Sequence, residues 1–239
     1  MSEQARHETP VPDAPAVRRL RVCSRDVAPD VSGALMLCDS ATLVVSDLHF
    51  EKGSAFAAHG VHLPPYDTRS TLGLLEEVCR RLRPARVVAL GDSFHDGGAR
   101  ARMADRDLER IRALTAAHAW TWVVGNHDPE PPADLGGTVA DTVETGPLLL
   151  RHEPRPAPAT GEIAGHLHPA ASVVVRGRHL RRRCFVTDGT RLIMPAFGTF
   201  TGGLDVLSRP FGGLFDGRRF EAWMIGRDRV YPVSGRRLA

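Results

Sequence analysis

Residues 121–128 read TWVVGNHD. An apolar run enters a glycine, then an amide, an imidazole and a carboxylate. Three adjacent polar side chains on an extended backbone cannot share one partner, so this strand end must use Asn126, His127 and Asp128 separately. The pattern recurs along the chain. LVVSDLHF ends in Asp47 and His49, and VVALGDSFHD ends in Asp92, with His95 and Asp96 behind it. LLLRHEP ends in His152, and EIAGHLHP ends in His166 and His168. In open α/β sheets ligands bind beyond the carboxyl ends of the strands. Five such ends carrying Asp, Asn and His point to a metal site on one sheet edge.

The elements around these ends set the fold class. ALMLCDS (34–40) and ATLVVSD (41–47) read as paired strands with a tight turn at Asp39 and Ser40. A loop through His62 and Pro65 follows, with Asp67 as the expected N-cap of a helix. Leu72, Leu75, Val78, Cys79 and Leu82 recur at helical spacing until Pro84 stops them. RVVAL (86–90) is a short continuous apolar strand, of the kind covered on both faces. Leu108, Ile111, Leu114 and Thr115 mark a second amphipathic helix before the strand at 121–125. Alternating strands and helices predict a parallel α/β sheet. The second half differs: strands at 148–152, 162–166, 171–177, 183–189, 191–195 and 220–226 are joined by short turns, with no helix of useful length. No linker divides the halves. The expectation is one domain over residues 18–239, preceded by a disordered, Pro-rich arm at residues 1–17.

The spacing of the polar residues has a chemical sense. In extended backbone, residues i and i+2 face one side, so Asp47 and His49 would grip one ion together. A turn between His166 and His168 would aim them at two different ions. Asp92, alone after its glycine, is the natural bridging carboxylate. Gly91, Gly125 and Gly165 each precede a polar residue and let backbone approach the site. A set of carboxylate, carboxamide and imidazole without thiolate disfavours structural zinc. It suits a catalytic pair of Mn, Fe or Zn.

Composition narrows the classes. The 239 residues are 42% hydrophobic and 25% charged, ordinary for a globular protein, with net charge +3. No apolar run approaches a membrane span and the start has no signal-like apolar region, so no membrane partner and a cytoplasmic location are expected. Cys23, Cys38, Cys79 and Cys184 form no CxxC pair and read as free thiols. Lys52 is the only lysine, set among many arginines. VVVRGRHLRRR (173–183) gathers Arg176, Arg178, Arg181, Arg182 and Arg183, readable as a solvated hairpin tip or as a phosphate-contacting stripe.

SDLHFEKGSAF, ALGDSFHD, GNHDPEPP, LRHEP, GEIAGHLHPA, RRRCFVTDG and PAFGTFTGGLDV together resemble the calcineurin-like metallophosphoesterase superfamily. Within it they are most similar to the bacterial ligase-associated DNA damage response endonucleases (PdeM), over about residues 20–232. The resemblance implies a four-layer αββα sandwich of two mixed sheets and a binuclear site, most simply with two Mn2+ ions. It assigns Asp47, His49, Asp92 and His168 to one ion, and Asp92, Asn126, His152 and His166 to the other. It makes His127 the catalytic histidine, with Asp128 orienting it from behind. GDSFHDGG lacks the phosphate-binding Arg of the phosphoprotein phosphatases, so His95, and with it Lys52, become candidate phosphate contacts. Glu153 stands where many members carry Gly.

The implied activity is a DNA endonuclease in repair, acting on single-stranded or flapped DNA. The implied functional partners are an ATP-dependent DNA ligase, an Lhr-type helicase and a metallo-β-lactamase-fold exonuclease. A phosphatase or small-nucleotide phosphodiesterase is the alternative enzyme. A non-catalytic scaffold is the alternative outside enzymes, and the presence of His127 speaks against it.

Overall fold

The computed structural model of the protein describes residues 19–61, 64 and 66–239. The arm expected at residues 1–17, and the loop residues His62 and Pro65, lie outside the described residues. The first sheet holds β1 (Leu20–Val22), β2 (Arg25–Pro29), β3 (Leu35–Leu37), β4 (Thr42–Val45), β5 (Arg86–Leu90), β6 (Ala119–Val123) and β7 (Thr138–Ala140), in sequence order. Its first four strands are antiparallel neighbours, and β4 to β7 are parallel. The second sheet holds β8 (Thr142–Thr145), β9 (Leu148–Arg151), β10 (Glu162–Ala164), β11 (Pro169–Val175), β12 (Arg178–Thr187), β13 (Leu192–Ile193), β14 (Leu204–Asp205), β15 (Glu221–Ile225) and β16 (Val230–Ser234). There β10 runs parallel to β9 and β13, while β12 is antiparallel to β13, β11 and β15. Both sheets are therefore mixed.

Alternation along the strands decides what each face packs against. In β4 and β5, Leu43, Val45, Val87 and Ala89 turn outward. They meet Leu72, Leu75 and Val78 of α2 (Asp67–Leu82), and Leu108, Ile111 and Leu114 of α4 (Asp105–Ala117). The residues between them, Val44, Val88 and Leu90, turn inward against Leu150, Ile163, Phe185 and Leu192 of the second sheet. This is why RVVAL is apolar throughout: both its faces are covered. The outer face of the second sheet buries Cys184, Val186, Ala222 and Met224 under Val206, Phe211, Leu214 and Leu238. That covering consists of loops with 3-10 turns at Arg209–Phe211 and Gly235–Arg237. The layers are thus helices, sheet, sheet and a thin outer cover, four layers with the two mixed sheets at the centre.

Some local expectations need correction. Asp67 is the first residue of α2, and its carboxylate accepts from Gly53 N at 2.7 Å instead of capping its own helix. That contact anchors the short helix α1 (Lys52–Ala58), which has no apolar periodicity to announce it. The turn before β4 is a 3-10 turn, Cys38–Ser40, with Ala41 left-handed at its end. The remaining helix, α3 (Ala99–Arg102), is a single turn.

Candidate metal centre

The ends of β4, β5, β6, β9 and β10 meet at one edge of the sandwich. Two groups of side chains there could each hold an ion: Asp47, His49 and His168, and Asp92, His152 and His166. Within each group the donor atoms lie within 4.8 Å of one another. His168 Nε2 stands 3.2 Å from Asp47 Oδ1 and 3.4 Å from His49 Nε2. His152 Nε2 stands 3.3 Å from Asp92 Oδ1 and 3.2 Å from His166 Nδ1. The exposed Asn126 joins the second group, its Oδ1 2.9 Å from His152 Nε2. His166 and His168 therefore fall into different groups, as the turn between them suggests.

The route to this geometry is not the extended backbone that the i, i+2 spacing implies. Asp47 (φ 54°), His49 (φ 46°), Asp92 (φ 47°), His166 (φ 67°) and His168 (φ 46°) are all left-handed. Such conformations cost about 1–3 kcal/mol each for residues other than glycine. They persist because neighbouring loops over-determine them. Asp47 N and His49 N donate to the carbonyls of Gly91 and Asp92, and Phe197 N and Gly198 N donate to those of Ser46 and Asp47. The glycines serve mainly close approach. A Cβ at Gly91 would sit 2.3 Å from the His152 ring, and one at Gly165 would sit 1.8 Å from Ser46 Oγ.

The donor set fits divalent cations. Asp47 is fully buried, and its Oδ2 accepts from Ser46 Oγ and from His166 N. Its Oδ1 is buried with no hydrogen-bond partner among the described residues, as is Nδ1 of His49. A buried carboxylate oxygen without a partner is costly. A cation beside the imidazole nitrogens of this group, His168 Nε2 and His49 Nε2, satisfies that oxygen. Charge balance leads the same way. Burial opposes a charge on His152, but the hydrogen bond to Asp92 and the charges of Asp47 and Asp92 outweigh it, raising the imidazole to about 9. The carboxylates thus demand a positive charge between them. Ser46 escapes sequence reasoning, its one signal being a hydroxyl beside Asp47 at a buried strand end.

The two neighbours of Asn126 part company. His127 has a side chain 42% exposed, with Nε2 4.0 Å from Asp92 Oδ2. Its Nδ1 lies 2.9 Å from the main-chain carbonyl of His95. Asp128, expected to orient His127, instead accepts from Ser93 N (2.7 Å) and Phe94 N (3.1 Å). The reason is steric direction: Asp128 is buried beneath the loop after β5, while His127 turns outward. Burial, aided by the Asp92 charge, raises the Asp128 carboxyl to about 7 against the pull of those two N–H groups. The orienting group is a carbonyl, which no residue type could reveal.

His95 stacks on His127 with centroids 5.3 Å apart and meets His49 edge-on at 5.5 Å, so it borders the centre. Lys52 opens α1 nearby, its Nζ 5.9 Å from the Phe56 ring, and burial lowers its ammonium. The arginines do not form one stripe. β11 and β12 make a hairpin in which Arg178 and Arg182 share one face while Arg181 and Arg183 share the other. Arg183 lies opposite Ala170, partly buried, donating to the carbonyls of Ala196 and Ser32. Arg181 donates to the carbonyl of Gly203. Arg176 and Arg178 sit at the tip, roughly 20 Å along the strand from His168.

A layered sandwich with two adjacent carboxylate–histidine groups at its strand ends fits a phosphoesterase with a binuclear metal site. The family profile described as calcineurin-like phosphoesterase matches residues 41–186, and the chain belongs to that family. Among solved structures it is similar to Pseudomonas putida nuclease MPE, with 28% identity, TM-score 0.70, and coverage of 90% of this chain and 99% of that one. A looser similarity joins it to Yfce, a phosphoesterase from E. coli, at 15% identity and TM-score 0.42, covering 81% of this chain and 98% of the other. No curated protein sequence matches it. Among the described residues, no helix is long and apolar enough to cross a membrane.

Proposed function

We propose that the protein is a two-metal phosphodiesterase that cuts DNA, acting in repair. The observation that carries this is the pair of ligand groups side by side with His127 free at their edge. The similarity to a nuclease over 90% of the chain supports nucleic acid as the substrate. Two divalent ions, when bound, would neutralise the phosphoryl oxygens and make water a nucleophile near neutral pH. Mn2+ is the first choice for a set of Asp, Asn and His without thiolate, with Fe or Zn as alternatives.

The chain's own residues do the rest. The His95 carbonyl accepts from Nδ1–H of His127, which turns Nε2 to the site, and in the imidazolium form Nε2 gives its proton to the leaving oxygen. His95 and Lys52 border the centre and hold the phosphate of the approaching strand. Asp47 and Asp92 are buried and pre-oriented, so little reorganisation is needed when charge develops. Single-stranded or flapped DNA fits an open strand edge, with Arg176, Arg178 and Arg182 as the cations left to receive its backbone. A DNA ligase, an Lhr-type helicase and a metallo-β-lactamase-fold exonuclease remain the proposed functional partners.

The test gives the Mn2+-loaded protein three substrates: single-stranded DNA, bis-p-nitrophenyl phosphate and p-nitrophenyl phosphate. We expect both diesters to be cleaved and the monoester to lag by at least about tenfold. A monoester cleaved faster than DNA would make the protein a phosphatase and overturn the proposal.

A further inference from the structure

A second cluster of cations stands at the other end of the sandwich. β10 and β13 run parallel toward the metal end, where their continuations supply His166 and Phe197. β12 is antiparallel to β13, so its last residue, Thr187, lies at the opposite end. Thr187 pairs with Glu221 at the start of β15, and Glu221 pairs with Ser234 at the end of β16. Residues 192 to 197 alone separate the two ends by roughly 15 Å.

Those three strand termini, β1 and the segment before β15 enclose an open cleft of about 420 Å³. Arg21, Arg218, Arg219 and Arg236, from three separate parts of the chain, line it. Phe220 and Trp223, each 7% exposed, form its apolar floor. Two carboxylates also line it, and both are engaged. Asp188 accepts from the main-chain N–H groups of Thr190 and Arg191, and Glu221 accepts from the Trp223 indole. Asp26 and Asp216, just outside the lining, pair with Arg21 and Arg219, which leaves Arg218 and Arg236 as the two guanidinium groups without a carboxylate partner among the described residues. Arg218 is steadied by the Leu238 carbonyl. The Arg21–Asp26 and Arg219–Asp216 pairs are solvent-exposed, and such pairs give way readily to a better anion. The Arg236 side chain has no partner among the described residues.

We infer that this cleft binds the phosphomonoester of a nucleotide, with the guanidinium groups on the dianion and the apolar floor beneath the sugar and base. Its volume is that of a small-ligand pocket. Two guanidinium groups without a carboxylate, Arg218 and Arg236, match a monoester dianion better than the single charge of a diester. Arginine presents paired donors that suit phosphate oxygens. Two sources carry this chemistry, a free mononucleotide and the terminal phosphate of a DNA strand. The site lies apart from the metal centre, so it stands independently of the reaction proposed there.

The experiment titrates the full-length, metal-loaded protein by calorimetry, in the His127→Ala background for the oligonucleotides so that they bind without being cut. The probes are inorganic phosphate, thymidine monophosphate, and one oligonucleotide with either a 5′-phosphate or a 5′-hydroxyl. Arg236→Glu is the main variant, because an exposed side chain without a partner can be replaced without harming the fold. Arg218→Ala combined with Arg236→Ala is the second. We expect saturable binding of the mononucleotide, tighter than that of inorganic phosphate and weakened at least about tenfold by Arg236→Glu. Hydrolysis of bis-p-nitrophenyl phosphate should stay unchanged in both variants. Preference for the 5′-phosphorylated oligonucleotide would assign the strand end, and equal binding of the two oligonucleotides would assign the free nucleotide. Binding that survives both variants overturns the inference, as does no saturable binding of any phosphate. A parallel loss of binding and hydrolysis would place the ligand at the metal centre and overturn it as well.

Discussion

At the scale of single residues, the GNHD stretch divides its labour in space. Asn126 faces His152, His127 faces outward over Asp92, and Asp128 ties down the loop after β5. His127→Ala should keep its metal and its melting temperature while losing ~10²–10⁴-fold in rate, the range of acid–base catalysis. Asp128→Ala should act differently. It strands the N–H groups of Ser93 and Phe94, so about 2 kcal/mol or more of stability should go with it. Calorimetry beside kinetics separates the two. An Asp128→Ala protein of unchanged stability and selectively lost activity would restore Asp128 as the partner of His127. The carboxylates also set a pH dependence. Without metal, His152 holds a proton up to about 9, because Asp92 and Asp47 outweigh its burial. An incoming ion must displace that proton, so metal affinity should rise with pH until about 9 and then level off. Metal titrations between pH 6 and 9, in buffers of different ionisation enthalpy, should show proton release. A pH-independent affinity without it would contradict this charge balance.

At the scale of elements, periodicity showed what packing demands and missed what tertiary contacts build. α2 and α4 were legible because Leu72, Leu75, Val78, Leu108, Ile111 and Leu114 must all meet the first sheet. β5 and β6 were legible because both faces are covered. α1 was not, since it has seven residues and depends on Asp67 from another helix. The antiparallel edge of β1 and β2 and the exposed β7 and β8 gave too short or too polar a pattern. The Arg-rich hairpin was legible as a hairpin, but its sequence cluster concealed two faces and one half-buried guanidinium. Arg183 is bound to two carbonyls, and burial lowers its basicity. Arg183→Ala should therefore cost about 2–3 kcal/mol, read as a lower melting temperature. Replacing Arg176, Arg178 and Arg182 together by Ala should leave the melting temperature alone and flatten the salt dependence of DNA binding by up to about 2 in log–log slope. The reverse pattern would put Arg183 on the DNA and the tip arginines in the fold.

At the scale of the whole molecule, the site exists because two mixed sheets present their strand ends at one edge. The first sheet brings Asp47, Asp92 and Asn126 from β4, β5 and β6, and the second brings His152, His166 and His168 from around β9, β10 and β11. Neither sheet alone holds a complete set of donors. The residue types and their order after apolar runs were enough to read this set from the sequence. The left-handed backbone that aims Asp47 and His49 was not, because it is held by hydrogen bonds to the carbonyls of Gly91 and Asp92 and from the N–H groups of Phe197 and Gly198, far away in the chain. The central claim is that the edge holds two ions, one in each group. Crystals grown with Mn2+ and measured at the manganese absorption edge test it most directly. Two anomalous peaks are predicted, one among Asp47, His49 and His168 and one among Asp92, His152 and His166. A single peak, or peaks away from both groups, would contradict the account.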